Sequence, residues 1–409
     1  MKKQILCLSL FLSLTANLIA NFGVFPVAYG VKAQGLAGAV TAYPQDSLAP
    51  FTNPAGGVWL EGRYDVGVSA PYFKDRGYTY TLLDGSSYRQ SSTDNLFFIP
   101  YGSVTIPVAD NQNVGIATYF LGPNVRYKDS PIVGQGAYYL ESQQLQLAPN
   151  WSIGFADNYS VGVAVIGVVS RAKVAGLQTL TDFSVAPNYF TNKGYAYNFG
   201  AGVRVGVLAR FLDHFWIGAA YCTKVYSSKV NGYKGLLVNG GSLDVPANWS
   251  LGLRYEASDD LNLSFDYQVI LNKGVDSLSN PFQNITFFSP NLGSKNGPGF
   301  GWNNQRIFRF GADYQFTERF NMKLGYAFSN RLFNNQQLDF NELTESIIRN
   351  YITAGTTIDL GNCQELSISY FYGFHASESG PSGLTALDVS QVTLINSMHS
   401  VGISYGKKF

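Results

Sequence analysis

Positively charged side chains recur on one side of several segments in which apolar and polar residues alternate. Arg204, Arg254, Arg309 and Lys323 each fall on the polar side of such a segment. The acidic residues on the same side are Asp266 and Asp313. Guanidinium and ammonium groups bind carboxylates through charge-assisted hydrogen bonds, so these cations could hold an anionic group or pair internally with the acids. We take Lys323, Arg309 and Arg204 as candidates for binding the anionic head group of a ligand.

Histidine, the most frequent general base, is too scarce and too poorly placed here to support an enzyme. The chain has three histidines. His375 and His399 flank neighbouring segments, but His375 has the parity of the polar side and His399 that of the apolar side, so the two face opposite ways. The sequence also shows no cluster of metal ligands and no phosphate-binding glycine loop with a partner lysine. We therefore expect no catalytic residue, no metal and no cofactor.

The composition favours a closed β-barrel in a membrane over a soluble domain. Only 13% of the residues are charged, while 15% are aromatic and 43 are glycine; a typical soluble protein is about 25% charged. Beyond the first 20 residues no apolar run approaches the roughly 18 residues of a membrane helix. The other structure that lipid permits is a closed barrel. A net charge of +1 offers no basic surface to a nucleic acid.

Both ends of the chain suggest export to the bacterial outer membrane. Residues 1–20 read as a signal peptide, because Lys2 and Lys3 precede an apolar stretch that ends at Ala20. The last strand-like residues alternate and end on Phe409, which resembles the terminal strand that the barrel-assembly machinery recognises. We expect that machinery and outer-membrane lipid as partners, and a monomer as the assembled state.

Alternating segments and the turns between them predict an all-β fold, a 14-stranded antiparallel transmembrane β-barrel. Six short polar turns alternate with seven longer loops rich in Gly, Ser, Asn and Pro, and these connections join 14 strands. Short turns face the periplasm and long loops face outward in such barrels. The predicted strands are residues 61–72, 95–108, 114–127, 136–156, 159–173, 196–211, 215–228, 243–257, 261–274, 304–316, 320–333, 346–360, 364–376 and 398–409.

Residues 21–57 lack the alternation of a strand and are rich in Ala, Gly and Pro. A segment with so much backbone freedom could fold irregularly ahead of the first strand and plug the barrel. A disordered periplasmic tail is the alternative, although the scarcity of charge counts against it. The predicted organisation is a signal peptide over 1–20, an amino-terminal hatch over 21–57 and a transmembrane barrel over 58–409.

Several stretches in register resemble the FadL-type family of long-chain fatty-acid transporters of the outer membrane. Two stretches resemble the hatch of that family: residues 33–39, with Gly35 and Gly38, and the run Asn53, Pro54, Ala55 and Gly56. Further matching stretches are residues 226–230, 243–255, 297–305, 310–314, 323–328 and 340–355. Together they cover nearly the whole of the chain that follows the predicted signal peptide.

The resemblance implies a lumen closed by the hatch and uptake of long-chain fatty acids or similar hydrophobic molecules. It also implies lateral release through a kinked third strand, which here would lie near Gly122 and Pro123, since proline cannot donate a ladder hydrogen bond. The start of an ordinary loop is the alternative at this place. Apolar loop residues such as Leu237 and Phe282 could contact a ligand or cap the barrel. The substrate stays open, with aromatic hydrocarbons, or a surface adhesin or porin-like barrel without a lipid substrate, as alternatives.

Overall fold

The computed structural model describes residues 22–122, 124–130, 132–284 and 291–409. Within these ranges the strands form one antiparallel sheet of 17 segments. Three of the segments are short, namely Ser87–Ser91, Asn124–Tyr127 and Tyr226–Ser227, and the other 14 make the barrel. The predicted signal peptide, residues 1–20, lies outside the described residues.

The 14 barrel strands pair in sequence order and close on themselves. They are β1 Arg63–Leu82, β2 Ile99–Ala109, β3 Gln112–Leu121, β4 Tyr138–Phe155, β5 Tyr159–Ala175, β6 Ala196–Phe211, β7 Phe215–Cys222, β8 Asn248–Glu256, β9 Leu261–Ile270, β10 Gln305–Thr317, β11 Phe320–Ser329, β12 Asn350–Gly361, β13 Gln364–Pro381 and β14 Val389–Lys408. The sheet closes because β1 pairs with β2 on one side and with β14 on the other. The prediction of a closed antiparallel barrel of 14 strands is confirmed.

Several predicted strand limits are wrong, mainly at the end of the barrel where the long loops lie. Residues 73–82 and 389–397 were expected in loops but extend β1 and β14, which pair as far as Leu82 opposite Val389. Their inward faces carry buried residues such as Tyr78, Tyr80 and Leu394, but their outward faces are largely polar. The apolar outward residues that mark a membrane strand are therefore missing although the backbone still pairs. In contrast, β7 stops at Cys222 and β8 starts only at Asn248, so the expected strands 215–228 and 243–257 are too long.

The short turns at the opposite end are tight enough to need left-handed backbone at both central positions. Ala156 and Asp157 have φ of 50° and 57°, and Leu212 and Asp213 have φ of 49° and 59°. Two successive positive φ values characterise the type I′ hairpin turn, whose twist matches that of the flanking strands. These turns connect β4 to β5 and β6 to β7 with three residues each.

The two faces of the barrel wall differ as a membrane requires. On β8, Leu251, Leu253 and Tyr255 are exposed, whereas the residues between them point to the buried face. The same alternation holds on β10, where Phe310 and Tyr314 are exposed while Arg309 and Asp313 are buried. An apolar outward face alternating with a polar inward face is the pattern of a transmembrane barrel.

The helices of the described residues are short, and they belong to the amino-terminal segment and the loops and not to the barrel wall. In the amino-terminal segment, defined here as residues 22–60, the α-helix α1 spans Val31–Gly35 and two 3₁₀ helices span Ala49–Phe51 and Pro54–Trp59. The loops carry α2 Val238–Gly241, α3 Asp276–Ser279 and the 3₁₀ turns Gln178–Phe183, Pro187–Tyr189, Asn231–Tyr233, Asn272–Gly274, Phe282–Asn284, Asn341–Leu343 and Thr385–Leu387. No helix in the described ranges has the length and hydropathy to cross a membrane.

The amino-terminal segment shares an apolar core with the barrel wall. Phe25 and Phe51 of the segment belong to the same buried cluster as Ile166 and Val168 of β5. Strand β5 is apolar on both faces, and this cluster accounts for the apolar residues on its buried face. The burial of such side chains removes apolar surface from water and stabilises the contact between segment and wall.

Candidate functional site

Asn53 links two parts of the amino-terminal segment to each other and to the barrel wall. Its Nδ2 donates to Thr41 O at 2.8 Å and to Val207 O at 2.9 Å. Its Oδ1 accepts from Ala55 N at 3.1 Å and caps the 3₁₀ helix that starts at Pro54, as asparagine commonly does. The amide therefore uses both its donor hydrogens and its acceptor, and it fixes this helix against β6.

The glycines of the segment lie where its main chain makes close contacts. Gly38 has φ of +83°, and a Cβ there would lie 2.8 Å from Val27 O. Gly56 lies against Pro44, and Gly35 lies against Lys323 of β11. A side chain at Gly38 would be strained by its backbone conformation and blocked by its neighbours.

The buried face of the wall also carries glycines beside the segment. Gly162 lies opposite Gly206, Gly218 opposite Gly252, and Gly311 opposite Gly325 in neighbouring strands. Cβ atoms at positions 206, 218 and 325 would come within 2.0, 2.3 and 2.5 Å of Asn53 Oδ1, Thr41 O and Ala37 N. Side chains at these positions would displace the main chain of the segment.

Buried acids on the wall accept hydrogen bonds from the segment. Asp266 Oδ2 accepts from Val40 N at 3.0 Å, from Thr41 N at 2.9 Å and from Thr41 Oγ1 at 2.7 Å. Asp313 Oδ2 accepts from Tyr43 OH at 3.0 Å and pairs with Lys323 Nζ at 2.5 Å. Carboxylates that accept several hydrogen bonds are well compensated for burial. These acids are therefore anchor points for the segment.

A network of ion pairs holds the segment at the end of the barrel that carries the short turns. Lys32 and Arg63 both form ion pairs with Glu365, and Arg63 also pairs with Asp65 at 2.6 Å. Asp65 Oδ2 in turn accepts from Ser47 N at 2.9 Å. The network alternates charges of opposite sign and joins α1 and residue 47 to β1 and β13.

Strand β3 is interrupted near the end that carries the long loops. Its pairing with β4 breaks after Leu121, opposite Gln144, and resumes at Asn124, opposite Glu141. On its other side the pairing with β2 ends at Tyr119. At the break Gly122 has φ of +143°, and a Cβ there would lie 2.4 Å from Ser142 O. The wall thus has a short stretch without regular hydrogen bonding beside Gly122.

An apolar cavity of about 100 Å³ adjoins this interruption. Leu121 and Gly122 contribute to its wall from β3, and Val24 contributes from the amino-terminal segment. The larger side chains around it are Leu140, Tyr233, Leu237, Leu243, Leu278, Phe300 and Trp302. Asp244 is the one charged residue among the described lining residues, and its carboxylate pairs with Lys224 Nζ at 3.5 Å. Such a space suits an uncharged apolar ligand.

The loop between β11 and β12 lies beside the cavity and contains buried acids. Thr344 lines the cavity, and Glu342 Oε1 accepts from Tyr80 OH and Tyr138 OH at 2.8 Å each. Burial, followed by the nearby Asp339, raises the pKa of Glu342 to about 8. Burial also raises the pKa of Glu345, in the same loop, to about 7.

Solved structures with this architecture are known, although sequence comparisons find no relative. No family profile matches the chain, and no curated protein sequence does. The toluene transporter TodX of Pseudomonas putida aligns with a TM-score of 0.69 at 14% identity, over 93% of this chain and 99% of that one. A FadL homologue of Pseudomonas aeruginosa aligns at 0.68 and 17% identity, over 95% of this chain and 100% of that one. The chain has the FadL-type fold.

A further solved structure gives the same result for the FadL-type barrel. The toluene transporter TbuX of Ralstonia pickettii aligns with a TM-score of 0.65 at 16% identity, over 93% of this chain and 98% of that one. With an apolar exposed face on its strands, the FadL-type barrel is a multi-pass transmembrane barrel of the bacterial outer-membrane kind.

The three cations predicted to bind a head group lie away from the apolar cavity of the FadL-type barrel. Lys323 is buried in its ion pair with Asp313. Arg204 and Arg309 line a second, more polar cavity of about 40 Å³, between the amino-terminal segment and the wall. The structure thus brings the two arginines together and separates Lys323 from them.

The sequence pointed to part of the apolar cavity. Leu237, proposed as a ligand contact, lines it, whereas Phe282 packs against Phe340 with ring centroids 4.7 Å apart and helps to cap the barrel. Trp302 and Val24 were missed as cavity residues, because they come from a loop and from the amino-terminal segment and meet only in the folded chain. Gly122 lies at the strand interruption and in the cavity wall, while Pro123 lies outside the described residues.

Proposed function

We propose that this protein is an outer-membrane channel for the uptake of hydrophobic molecules. The proposal rests on one observation: an apolar cavity lies beside the interruption of β3 at Gly122. A ligand in this cavity could reach the surrounding lipid without breaking the hydrogen bonds between paired strands. Likeness in fold to hydrocarbon and FadL-type channels supports the same class of function.

We also propose that the amino-terminal segment is a hatch that closes the lumen. Support comes from its burial and from its hydrogen bonds to Asp266, Asp313 and Val207 O on three different strands. With the hatch in place, the interruption at Gly122 is the route that we propose for release. A ligand would enter among the long loops, rest in the cavity and leave sideways into the outer membrane.

The size and lining of the cavity favour a small neutral substrate. A volume of about 100 Å³ compares with the engineered apolar cavity of about 150 Å³ that binds benzene. A fatty-acid carboxylate would need a cation nearby, because an unpaired charge is costly to bury. No lysine or arginine lines this cavity within the described ranges. A monoaromatic hydrocarbon therefore fits it better than a long-chain fatty acid.

A long-chain fatty acid is the second candidate. The observation in its favour is the position of Arg204 and Arg309 on the smaller polar cavity, where a carboxylate could accept hydrogen bonds from both. This reading requires one ligand to span the two cavities. It predicts that substitution of either arginine weakens fatty-acid binding.

Binding to the detergent-purified protein tests the proposal. Radiolabelled toluene and palmitate are titrated separately against the full chain and against Leu237→Trp, which fills the apolar cavity. We expect saturable toluene binding that Leu237→Trp weakens at least about tenfold, or about 1.4 kcal/mol. The matched control is Leu236→Trp, since Leu236 is similarly half-buried in the same loop but does not line the cavity.

Each result leads to a definite conclusion. Toluene binding that survives Leu237→Trp would place the ligand elsewhere and contradict the assignment of the cavity. Palmitate binding without toluene binding would favour the fatty-acid candidate. Binding of neither ligand would argue against a hydrophobic channel and for an adhesin or porin-like barrel.

A further inference from the structure

The polar cavity between the amino-terminal segment and the barrel wall has features of a built binding site. Its volume of about 40 Å³ exceeds the roughly 10–15 Å³ that one water molecule needs. Residues 25–29, 38, 40–41 and 51–52 line it from the segment, and the wall contributes Arg204, Ser250, Asp266, Gln268 and Arg309. Two guanidinium groups from strands β6 and β10 thus share one small space.

Arg204 is buried with most of its hydrogen-bonding capacity unused. Arg204 is only 5% exposed to solvent. Its Nη1 donates to Thr52 O at 3.1 Å and its Nη2 to Asn248 Oδ1 at 3.3 Å. Its Nε has no hydrogen-bond partner among the described residues. Both acceptors are neutral, so the positive charge is not compensated by an ion pair.

Arg309 is even less well satisfied. It is 6% exposed, its Nη2 donates to Val27 O at 3.5 Å, and its Nε also lacks a partner within the described chain. The ring of Phe22 lies 5.5 Å from the guanidinium carbon. Gly38 makes room for this side chain, since a Cβ there would lie 3.0 Å from Arg309 Nε. Arg309 therefore extends towards the segment, and its described hydrogen bond is to the neutral carbonyl of Val27.

Asp266 does not balance the two positive charges. It is directly opposite Arg309 in the β9–β10 register and interacts with it electrostatically, but the described hydrogen bond of Arg309 goes to Val27 O and not to this carboxylate. Its Oδ2 accepts three hydrogen bonds from Val40 and Thr41, and its Oδ1 has no partner among the described residues. Two guanidinium groups and one carboxylate leave a net charge of +1 around the cavity. Water alone could bridge these groups but could not neutralise that charge.

We propose that the cavity binds one small monovalent anion, of the size of chloride, between Arg204 and Arg309. The anion would accept hydrogen bonds from the unused guanidinium N–H groups and neutralise the excess charge. Because Arg309 also contacts Val27 and Arg204 contacts Thr52, the anion would tie the segment to β6 and β10. This site is separate from the apolar cavity, and it rests on the proposal that the substrate is a neutral molecule whose binding does not use the two arginines.

Anion exchange on the full-length purified protein tests the proposal. The midpoint of thermal unfolding is measured in sodium chloride, bromide and gluconate at equal ionic strength, and crystals in bromide are examined for anomalous scattering. We expect a saturable, higher midpoint in chloride and bromide than in gluconate, which is too large for the cavity. A bromide peak should lie between the two guanidinium groups.

The variants Arg204→Gln and Arg309→Gln should each remove the difference between chloride and gluconate. Arg210→Gln is the matched control, because Arg210 lies on the same strand as Arg204 but contacts Asp213 O in a short turn; it should keep the difference. The bromide peak in the unaltered protein needs no variant, so the test holds even where a substitution prevents folding.

Three results would overturn the proposal. The first is no bromide peak and no halide effect on unfolding. The second is a peak seen only at crystal concentration, with no halide effect in solution. The third is loss of the bromide peak on adding sodium decanoate, since the arginines would then serve the carboxylate of a substrate. Toluene binding by the unaltered protein in chloride and in gluconate separates this question from the proposed function, because the apolar cavity shares no lining residue with the polar cavity and toluene should bind equally in both salts whether or not the anion site exists.

Discussion

Gly206 of β6 faces Asn53 so closely that a Cβ at position 206 would lie 2.0 Å from Asn53 Oδ1. The same oxygen caps the helix that starts at Pro54, and the amide nitrogen donates to Val207 O. A glycine on the barrel wall is therefore matched to one residue of the amino-terminal segment. Any side chain added to the wall here must move Asn53 and break its hydrogen bonds.

This relationship predicts the effect of Gly206→Ala. The added methyl group should displace Asn53 and loosen the segment, at a cost of about 1–3 kcal/mol as for other overpacked interiors. We expect a lower midpoint of thermal unfolding and faster cleavage of residues 22–60 by added protease. Both are measured on the detergent-purified barrel.

Gly167→Ala provides the control for this experiment. Gly167 lies on the neighbouring strand β5, and the nearest atom to a Cβ there is Leu147 O at 3.7 Å, an ordinary contact. The variant should behave as the unaltered protein does. If Gly206→Ala also left the unfolding midpoint and the cleavage rate unchanged, the close contact between the segment and the wall at position 206 would be contradicted.

Deletion of residues 22–52 tests whether the segment closes the lumen. The barrel strands begin at Arg63, so the deletion leaves the wall intact while removing most contacts to the buried face. We expect a steady ion current in planar bilayers, many times that of the unaltered protein, because a 14-stranded lumen without a plug would admit water. An unchanged conductance would refute the hatch.

The number of strands could be predicted because each membrane crossing leaves its own alternation in the sequence. Phe310 and Tyr314 are exposed and Arg309 and Asp313 are buried, as the pattern on β10 required. The limits of β1 and β14 could not be predicted, because their extensions carry outward polar residues such as Thr79 and Thr393 in place of the apolar outward residues that mark a membrane strand.

The candidate site was harder to predict because its residues meet only through the closed topology. Arg204 and Arg309 were identified as inward-facing cations, but parity alone could not separate them from Lys323. The structure separates them by partners, since Lys323 forms an ion pair with Asp313, whereas the hydrogen bonds of the two arginines within the described residues go to neutral acceptors. The apolar cavity combines Val24, Leu121 and Trp302, which share no spacing that a sequence pattern could reveal.

The buried acids of the loop between β11 and β12 predict that this loop is less stable at higher pH. Glu342 has a pKa raised by burial from 4.5 to about 8, and Glu345 one raised to about 7. The folded loop therefore holds protons that the unfolded loop releases above about 4.5, and its stability falls as the pH rises towards 8. Hydrogen-exchange protection factors for residues 330–349, measured at pH 5 and pH 8, should decrease accordingly.

Glu342→Gln should remove much of this pH dependence, because the amide keeps the shape of the protonated acid and carries no titrating group. Tyr80 and Tyr138 can still donate to its oxygen. The control Glu318→Gln changes an exposed residue of a short turn and should leave the dependence intact. Protection that increased from pH 5 to pH 8 would have the wrong sign and would contradict the assignment.

The interruption at Gly122 predicts that uptake and binding can be separated. In Gly122→Ala the new Cβ would meet Ser142 O at 2.4 Å, and the positive φ disfavours alanine. The added methyl group would lie between β3 and the main chain of β4 at the interruption and would narrow the gap. Because the apolar side chains of the cavity stay in place, we expect toluene uptake into proteoliposomes to fall several-fold while equilibrium binding changes by less than about twofold, or about 0.4 kcal/mol.

Gly102→Ala is the matched control for this last experiment. Gly102 lies on the adjacent strand β2, and the nearest atom to a Cβ there is Thr118 Oγ1 at 3.8 Å, so the methyl group needs no shift of the backbone. Uptake and binding should both match the unaltered protein. If Gly122→Ala reduced binding and uptake by the same factor, the residue would form part of the ligand site and not its exit. Normal uptake by Gly122→Ala would place the exit elsewhere in the barrel.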